Sequence, residues 1–143
     1  MKNRFWLLTN GLGSYSMGSA DESICRVEYA LFTALLRPPL RREMCVRRVH
    51  ETVYLENGWQ PLTGQKGGGD SLFESQFQLV NNLPTYQYTG KDFVIEKHLF
   101  MEPGKHALYV QYKIARATTK CRLRVHPLLI LPVSYFDADF DES

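Results

Sequence analysis

The chain has 143 residues, of which 44% are hydrophobic and 22% charged, with a formal net charge of +2. These proportions are those of a globular protein and exclude wholesale disorder, and the length suits one domain. A charge so near balance does not by itself imply nucleic acid or an acidic membrane. No apolar run approaches the roughly 20 residues that span a bilayer. The longest, Leu128 to Val133, contains Pro132. Phe5 to Leu8 is too short for the core of a signal peptide, which points to a cytoplasmic protein.

Along the chain, alternating patterns predict strands. The first is Phe5 to Leu8, followed by the glycine-rich stretch Asn10 to Ser19, which reads as a loop. Arg26 to Leu36 reads as a strand. Ala, Leu and Glu give Glu28 to Leu36 some helical tendency, and Pro38-Pro39 ends the element in either case. Met44 to His50 comes next. Val53 and Leu55 then alternate with Tyr54 and Glu56 ahead of Asn57-Gly58, a pair suited to a tight hairpin returning through Trp59. Gly64 to Gly69 reads as a flexible loop. Leu72 to Val80, Thr85 to Tyr88 and Phe93 to Met101 follow, and Pro103-Gly104 turns the last of these into a strand from His106 to Ile114. There Leu108, Val110, Tyr112 and Ile114 share one face. In Cys121 to Val125, Leu123 and Val125 oppose Arg122 and Arg124. Turns every ~8–12 residues and no βαβ alternation predict an all-β antiparallel sandwich with few or no helices.

Candidate chemistry is sparse. The glycines of Gly11 to Gly18 lack the Lys-Ser/Thr of a phosphate cradle and the helix of a dinucleotide fold, so they supply positive φ and close backbone approach. Arg37, Arg41, Arg42, Arg47 and Arg48 form the basic concentration; Glu43 and Glu51 interrupt it, and Arg47 and Arg48 point to opposite faces of a strand. It reads as a solvated or interdomain surface, with no nucleic acid as partner. The segment Asp137-Ala-Asp139-Phe-Asp141-Glu142 lacks the glycine and distal glutamate of a calcium loop and reads as a frayed acidic terminus. His50, His98, His106 and His126 lack metal-binding spacing, although His98 and His106 flank one hairpin. Cys25, Cys45 and Cys121 form no Cys-x-x-Cys pair and read as reduced, buried thiols. No metal, no cofactor and no catalytic residue is expected. The rings of Trp6, Tyr15, Trp59, Tyr86, Tyr88 and Tyr109 are suited to a sandwich core or to stacking on sugars.

The stretch Trp6-Leu7-Leu8-Thr9-Asn10-Gly11-Leu12-Gly13-Ser14-Tyr15, then Gly18-Ser19, resembles the opening of the N-terminal domain of bacterial and archaeal glycogen debranching enzymes. The resemblance continues in order through Pro38-Pro39 with Arg41, Val49-His50-Glu51, Pro84-x-Tyr86-x-Tyr88, Ile95 to Met101 with Gly104, Tyr109-Val110-x-Tyr112, and Leu123-x-Val125-x-Pro127-Leu128. It departs where Val27-Glu28-Tyr29 replaces the family's Tyr-His-Gly after Arg26, and where residues 132–137 lack the family's Arg and His. The resemblance implies part of a β-supersandwich over residues 1–143, incomplete at its C-terminal end. It implies a non-catalytic domain that supports α-glucan (maltooligosaccharide) binding. Such a domain packs on a separate glucoamylase-like (α/α)6 domain, which carries the amylo-α-1,6-glucosidase (glycoside hydrolase) activity. Asn10, Gly11, Gly13 and Tyr15 are the leading sugar-contact candidates, with Arg26 and Trp59 secondary. The alternative is a scaffold that pairs with a partner chain through its sheet edges and binds no sugar.

Overall fold

In a computed structural model, residues 4–23, 29–37, 41–56, 58–63 and 73–130 are described. They form ten strands and no helix. The first sheet contains β1 (Phe5–Thr9), β2 (Tyr15–Ser19), β3 (Phe32–Arg37), β4 (Arg41–Leu55), β5 (Gly58–Pro61) and β10 (Arg122–Leu129). Its order is β1-β2-β3-β4-β10, with β5 also on β4. The second sheet runs in sequence order through β6 (Glu74–Val80), β7 (Leu83–Thr89), β8 (Phe93–Met101) and β9 (Leu108–Ala117). All pairings are antiparallel, as the alternation predicts.

Period two explains the core. On β8 the buried positions are Phe93, Ile95, Lys97, Leu99 and Met101, with every intervening residue half-buried. Phe93, Ile95, Leu99 and Met101 meet Trp6 and Leu8 of β1, Val53 of β4, and Tyr86 and Tyr88 of β7 in one apolar cluster. A lysine in the middle of that row is the exception on which the site depends.

Strand β4 is long because two predicted pieces, Met44 to His50 and Val53 to Leu55, are one element. One of its edges holds β10 from Val46 to Tyr54. The other edge holds β3 at Arg41–Val46 and β5 at Thr52–Leu55. Between them, among the described residues, β4 receives single backbone hydrogen bonds, from Leu31 N–H to the Arg47 carbonyl (3.2 Å) and from Leu62 N–H to the Glu51 carbonyl (3.0 Å). The sheet is notched there.

Several expectations are corrected. Residues 15–19 are strand β2, not loop: the small residues Ser16, Gly18 and Ser19 let the Trp6 indole lie on this hairpin. Of the strand expected over Arg26 to Leu36, residues 29–31 are not strand and Phe32 to Leu36 belong to β3; residues 24–28 and 38–40 lie outside the described residues. So do Asn57, the Gly64 to Gly69 loop, Leu72, Cys25 and the acidic segment at 137–142. Gly58, with φ of +104°, opens β5 opposite Leu55. On β9, Leu108, Val110 and Tyr112 are half-buried against the core, whereas Ile114, on the same face, is 47% exposed; a register shift lies at Val94/Ile95 opposite it. Cys45 and Cys121 are free thiols but half-buried, since both lie near the open side of the first sheet.

A Cβ on Gly18 would sit 2.5 Å from Trp6 Cζ2. Gly11, with φ of +77°, has open space around it. Gly18→Ala should therefore cost about 1–3 kcal/mol through overpacking. Gly11→Ala should cost about 1–2 kcal/mol through backbone strain alone. Urea denaturation measures both, and only Gly18→Ala should also perturb Trp6 fluorescence.

Candidate functional site

A cavity of about 810 Å³ opens at the notch, lined by Trp6, Ser19, Glu22, Arg47, Glu51 and Lys97 among others. Beneath it lies a polar network at the centre of the sandwich. Lys97 projects inward from β8, and its Nζ lies 2.6 Å from Glu22 Oε1 and 2.8 Å from Glu51 Oε1. Glu51 comes from the inner face of β4, between Val49 and Val53. Glu22 comes from the turn after β2, where a φ of +55° aims it at the second sheet.

Three tyrosines complete the network. The Tyr88 hydroxyl donates to Glu22 Oε2 (2.7 Å), and that of Tyr112 donates to Glu51 Oε1 (2.6 Å). The Trp6 indole N–H donates to the Tyr86 hydroxyl, which donates to the Ser19 carbonyl, both at 2.6 Å. The ammonium also lies 5.3 Å from the centre of the Tyr86 ring, within cation–π range. Among the described residues, Glu51 Oε2 is buried without a hydrogen-bond partner. One ammonium thus serves two carboxylates, and the ionised trio carries one negative charge.

The electrostatics follow from burial. Burial opposes the charge on Lys97, but Glu22 and Glu51 outweigh it and raise its pKa. Burial, followed by the charge of the same carboxylates, pushes the Tyr86, Tyr88 and Tyr112 hydroxyls well above their ordinary range. At the rim, burial works against ionised Asp21, but hydrogen bonds from Ser23 and Ser19 overcome it and lower its pKa. Both glutamates are committed to Lys97, so the network stores charge between the sheets.

The loop candidates come together a short way off. Asn10 is buried. Its Oδ1 accepts the N–H groups of Leu12 (2.8 Å) and Ser14 (3.1 Å), and its Nδ2 donates to the Lys105 carbonyl (3.0 Å). The Ser14 hydroxyl accepts the Leu35 N–H (2.9 Å) and lies 2.5 Å from His106 Nδ1. His106 therefore faces this loop, while His98 pairs with Gln111 across β8 and β9, so the two histidines do not face each other. Gly11 and Gly13 take positive φ, and Gly13 packs so closely on Leu35 that a Cβ would lie 2.7 Å from its Cδ2. Tyr15 is half-buried in β2, opposite Thr9 and Thr33. Arg26 lies outside the described residues. Trp59 is on the outer face of the first sheet, 37% exposed, with its ring centre 5.3 Å from that of Tyr54. The loop residues and Trp59 thus occupy separate places.

Sequence reasoning left Glu22, Glu51 and Lys97 out of the candidates. The signal for Lys97 was present, since it holds an inward position in the otherwise apolar alternation of β8. A lysine there needs a buried carboxylate.

Lys97→Met should destabilise the fold by about 3–5 kcal/mol, because two buried carboxylates lose their counter-charge. Stability should also fall at alkaline pH. Near their ordinary values of 10.0 and 10.5, Tyr and Lys side chains of the unfolded chain release protons. The folded chain, with every one of these pKa values raised, still holds them, so each pH step above ~10 favours unfolding. Urea midpoints between pH 8 and 11.5 check this, and absorbance at 295 nm should show these tyrosines ionising only with unfolding.

The family model described as "Glycogen debranching enzyme N terminal" matches residues 4–131. Neither a curated protein nor a solved structure matches the chain. The match takes in both sheets, the Asn10 to Tyr15 loop and all three members of the Glu22–Lys97–Glu51 trio. The chain belongs to the glycogen debranching enzyme N-terminal family.

Proposed function

We propose that this chain is a non-catalytic N-terminal domain of a glycogen-debranching-type protein, supporting α-glucan binding and packing on a helical catalytic domain. The observation that carries the reading is the family match over residues 4–131. The notch supports it further. Its volume falls within the range of about 300–1,000 Å³ typical of small-ligand sites, and it combines ring surfaces with charged side chains. Sugars use both, since C–H faces lie on rings and hydroxyls meet carboxylates and guanidinium groups. In this reading Asn10, Gly11 and Gly13 shape the neighbouring loop, Tyr15 and Trp59 offer rings, and Arg26 offers a donor.

The chain's two tryptophans separate the candidate places, because Trp6 lines the notch and Trp59 lies on the outer face. Maltotriose at millimolar concentration should change the intrinsic fluorescence. A response that persists in Trp59→Phe and disappears in Trp6→Phe assigns binding to the notch, and the reverse assigns it to the outer face. A folded chain whose fluorescence stays constant up to tens of millimolar sugar would rule the binding out.

A further inference from the structure

The outer face of the first sheet carries a row of side chains that the network above does not use. In register across β4 and β10, Tyr54 faces Arg122, Thr52 faces Arg124 and His50 faces His126. Arg48 extends the row, and no carboxylate interrupts it from residue 48 to 54 of β4 or from 122 to 128 of β10. The Arg124 guanidinium lies 3.8 Å from the centre of the Trp59 ring, and that of Arg122 lies 5.9 Å from the centre of Tyr54. Neither arginine has an ion pair among the described residues, and both are exposed. Rings hold the guanidinium groups in place and leave their donors unused, so less entropy is lost on meeting a carboxylate. Trp, Tyr and Arg are also the residues enriched at interface hot spots.

The same strand is an edge. Among the described residues β10 pairs with β4 alone. Its inner face carries Leu123, packed against the core, and Val125, which is 39% exposed. A free ladder with cations on one face and apolar residues on the other specifies its complement: an extended segment in which acidic and apolar residues alternate. Pro127 donates no N–H and closes the usable ladder to Arg122–His126. A second β10 would set a cationic row beside a cationic row, which disfavours self-pairing. A nucleic acid would leave Val125 uncovered.

We propose that the β10 edge takes an extended acidic–apolar segment of a partner protein as an added strand, with carboxylates over Arg122 and Arg124 and an apolar side chain over Val125. This stands independently of α-glucan binding, and its test uses no sugar. The probe is the capped peptide Asp-Val-Asp-Phe-Asp-Val-Asp, titrated into the isotopically labelled chain and followed by amide NMR. Shifts should concentrate on Arg122–His126. The double substitution Arg122→Glu/Arg124→Glu should weaken binding at least about tenfold and create binding to the peptide with Lys in place of Asp. If that variant fails to fold, Arg122→Gln/Arg124→Gln replaces it, with the same loss expected. A central proline in the peptide should abolish binding. The proposal is overturned if the peptide does not bind, if charge removal leaves its affinity unchanged, if the proline peptide binds equally, or if an oligothymidylate of equal charge binds as tightly at β10.

Discussion

The fold turns on one buried ammonium. Lys97 lies at the middle of the central row of the second sheet and meets carboxylates from two different parts of the first, a turn and a strand. A hydrophobic side chain there would pack against anything apolar. A lysine accepts only the register that brings Glu51 of β4 and Glu22 opposite it. A shift of one residue along β8 would send Lys97 to the outer face and His98 or Glu96 into the core. The network therefore selects one arrangement of the sheets, while Phe93, Ile95, Leu99 and Tyr88 around it supply the burial that stabilises it. The unpartnered Glu51 Oε2 is the unbalanced element of this arrangement, and it lies at the floor of the notch.

The notch follows from the same geometry. Glu51 can point at Lys97 because β4 continues past the end of β3 before β5 begins. Along that interval, among the described residues, β4 keeps β10 on one edge and two isolated hydrogen bonds on the other. A continuous neighbour at residues 47–51 would close the space above the network. The interruption that makes a cavity also makes β10 the continuous support of mid-β4, so the two edges of one strand have different tasks. One frames a concavity, and the other presents a flat cationic face.

The sequence shows much of this where side-chain period two is undisturbed. Strands β7, β8 and the first half of β9 are legible because apolar residues recur at every second position, with Lys97 the exception, and Gly104 marks the β8–β9 turn. Strand β2 is not legible, because Ser16, Gly18 and Ser19 carry no apolar signal. It is a strand because β1 pairs with it residue by residue and Trp6 needs a flat surface to lie on. The Asn10 loop was visible as a loop, but the use of the Asn10 side chain to tie it to Lys105 was not, since the two are 95 positions apart. The Glu22–Lys97–Glu51 trio is illegible as a trio for the same reason. Each member can be seen alone as a charge at an odd position, but which carboxylates meet the lysine is decided by strand order, which local patterning does not encode.

Strand order also accounts for part of the exposed apolar surface. Leu128, Leu129, Val125 and Ile114 are each at least 39% exposed, and they lie on β10 and β9, the edge strands of their two sheets. The two strands are consecutive in the chain but lie in different sheets. The notch, on the opposite edge of β4, is lined by residues already committed to ion pairs and hydrogen bonds. The two places thus differ in kind. The notch is concave and lined by charged, polar and apolar side chains together. The β10 side is extended, cationic on one face and apolar on the other, and among the described residues it pairs with β4 alone. Strand β4 belongs to both places, since it lines the notch and carries β10 along its other edge.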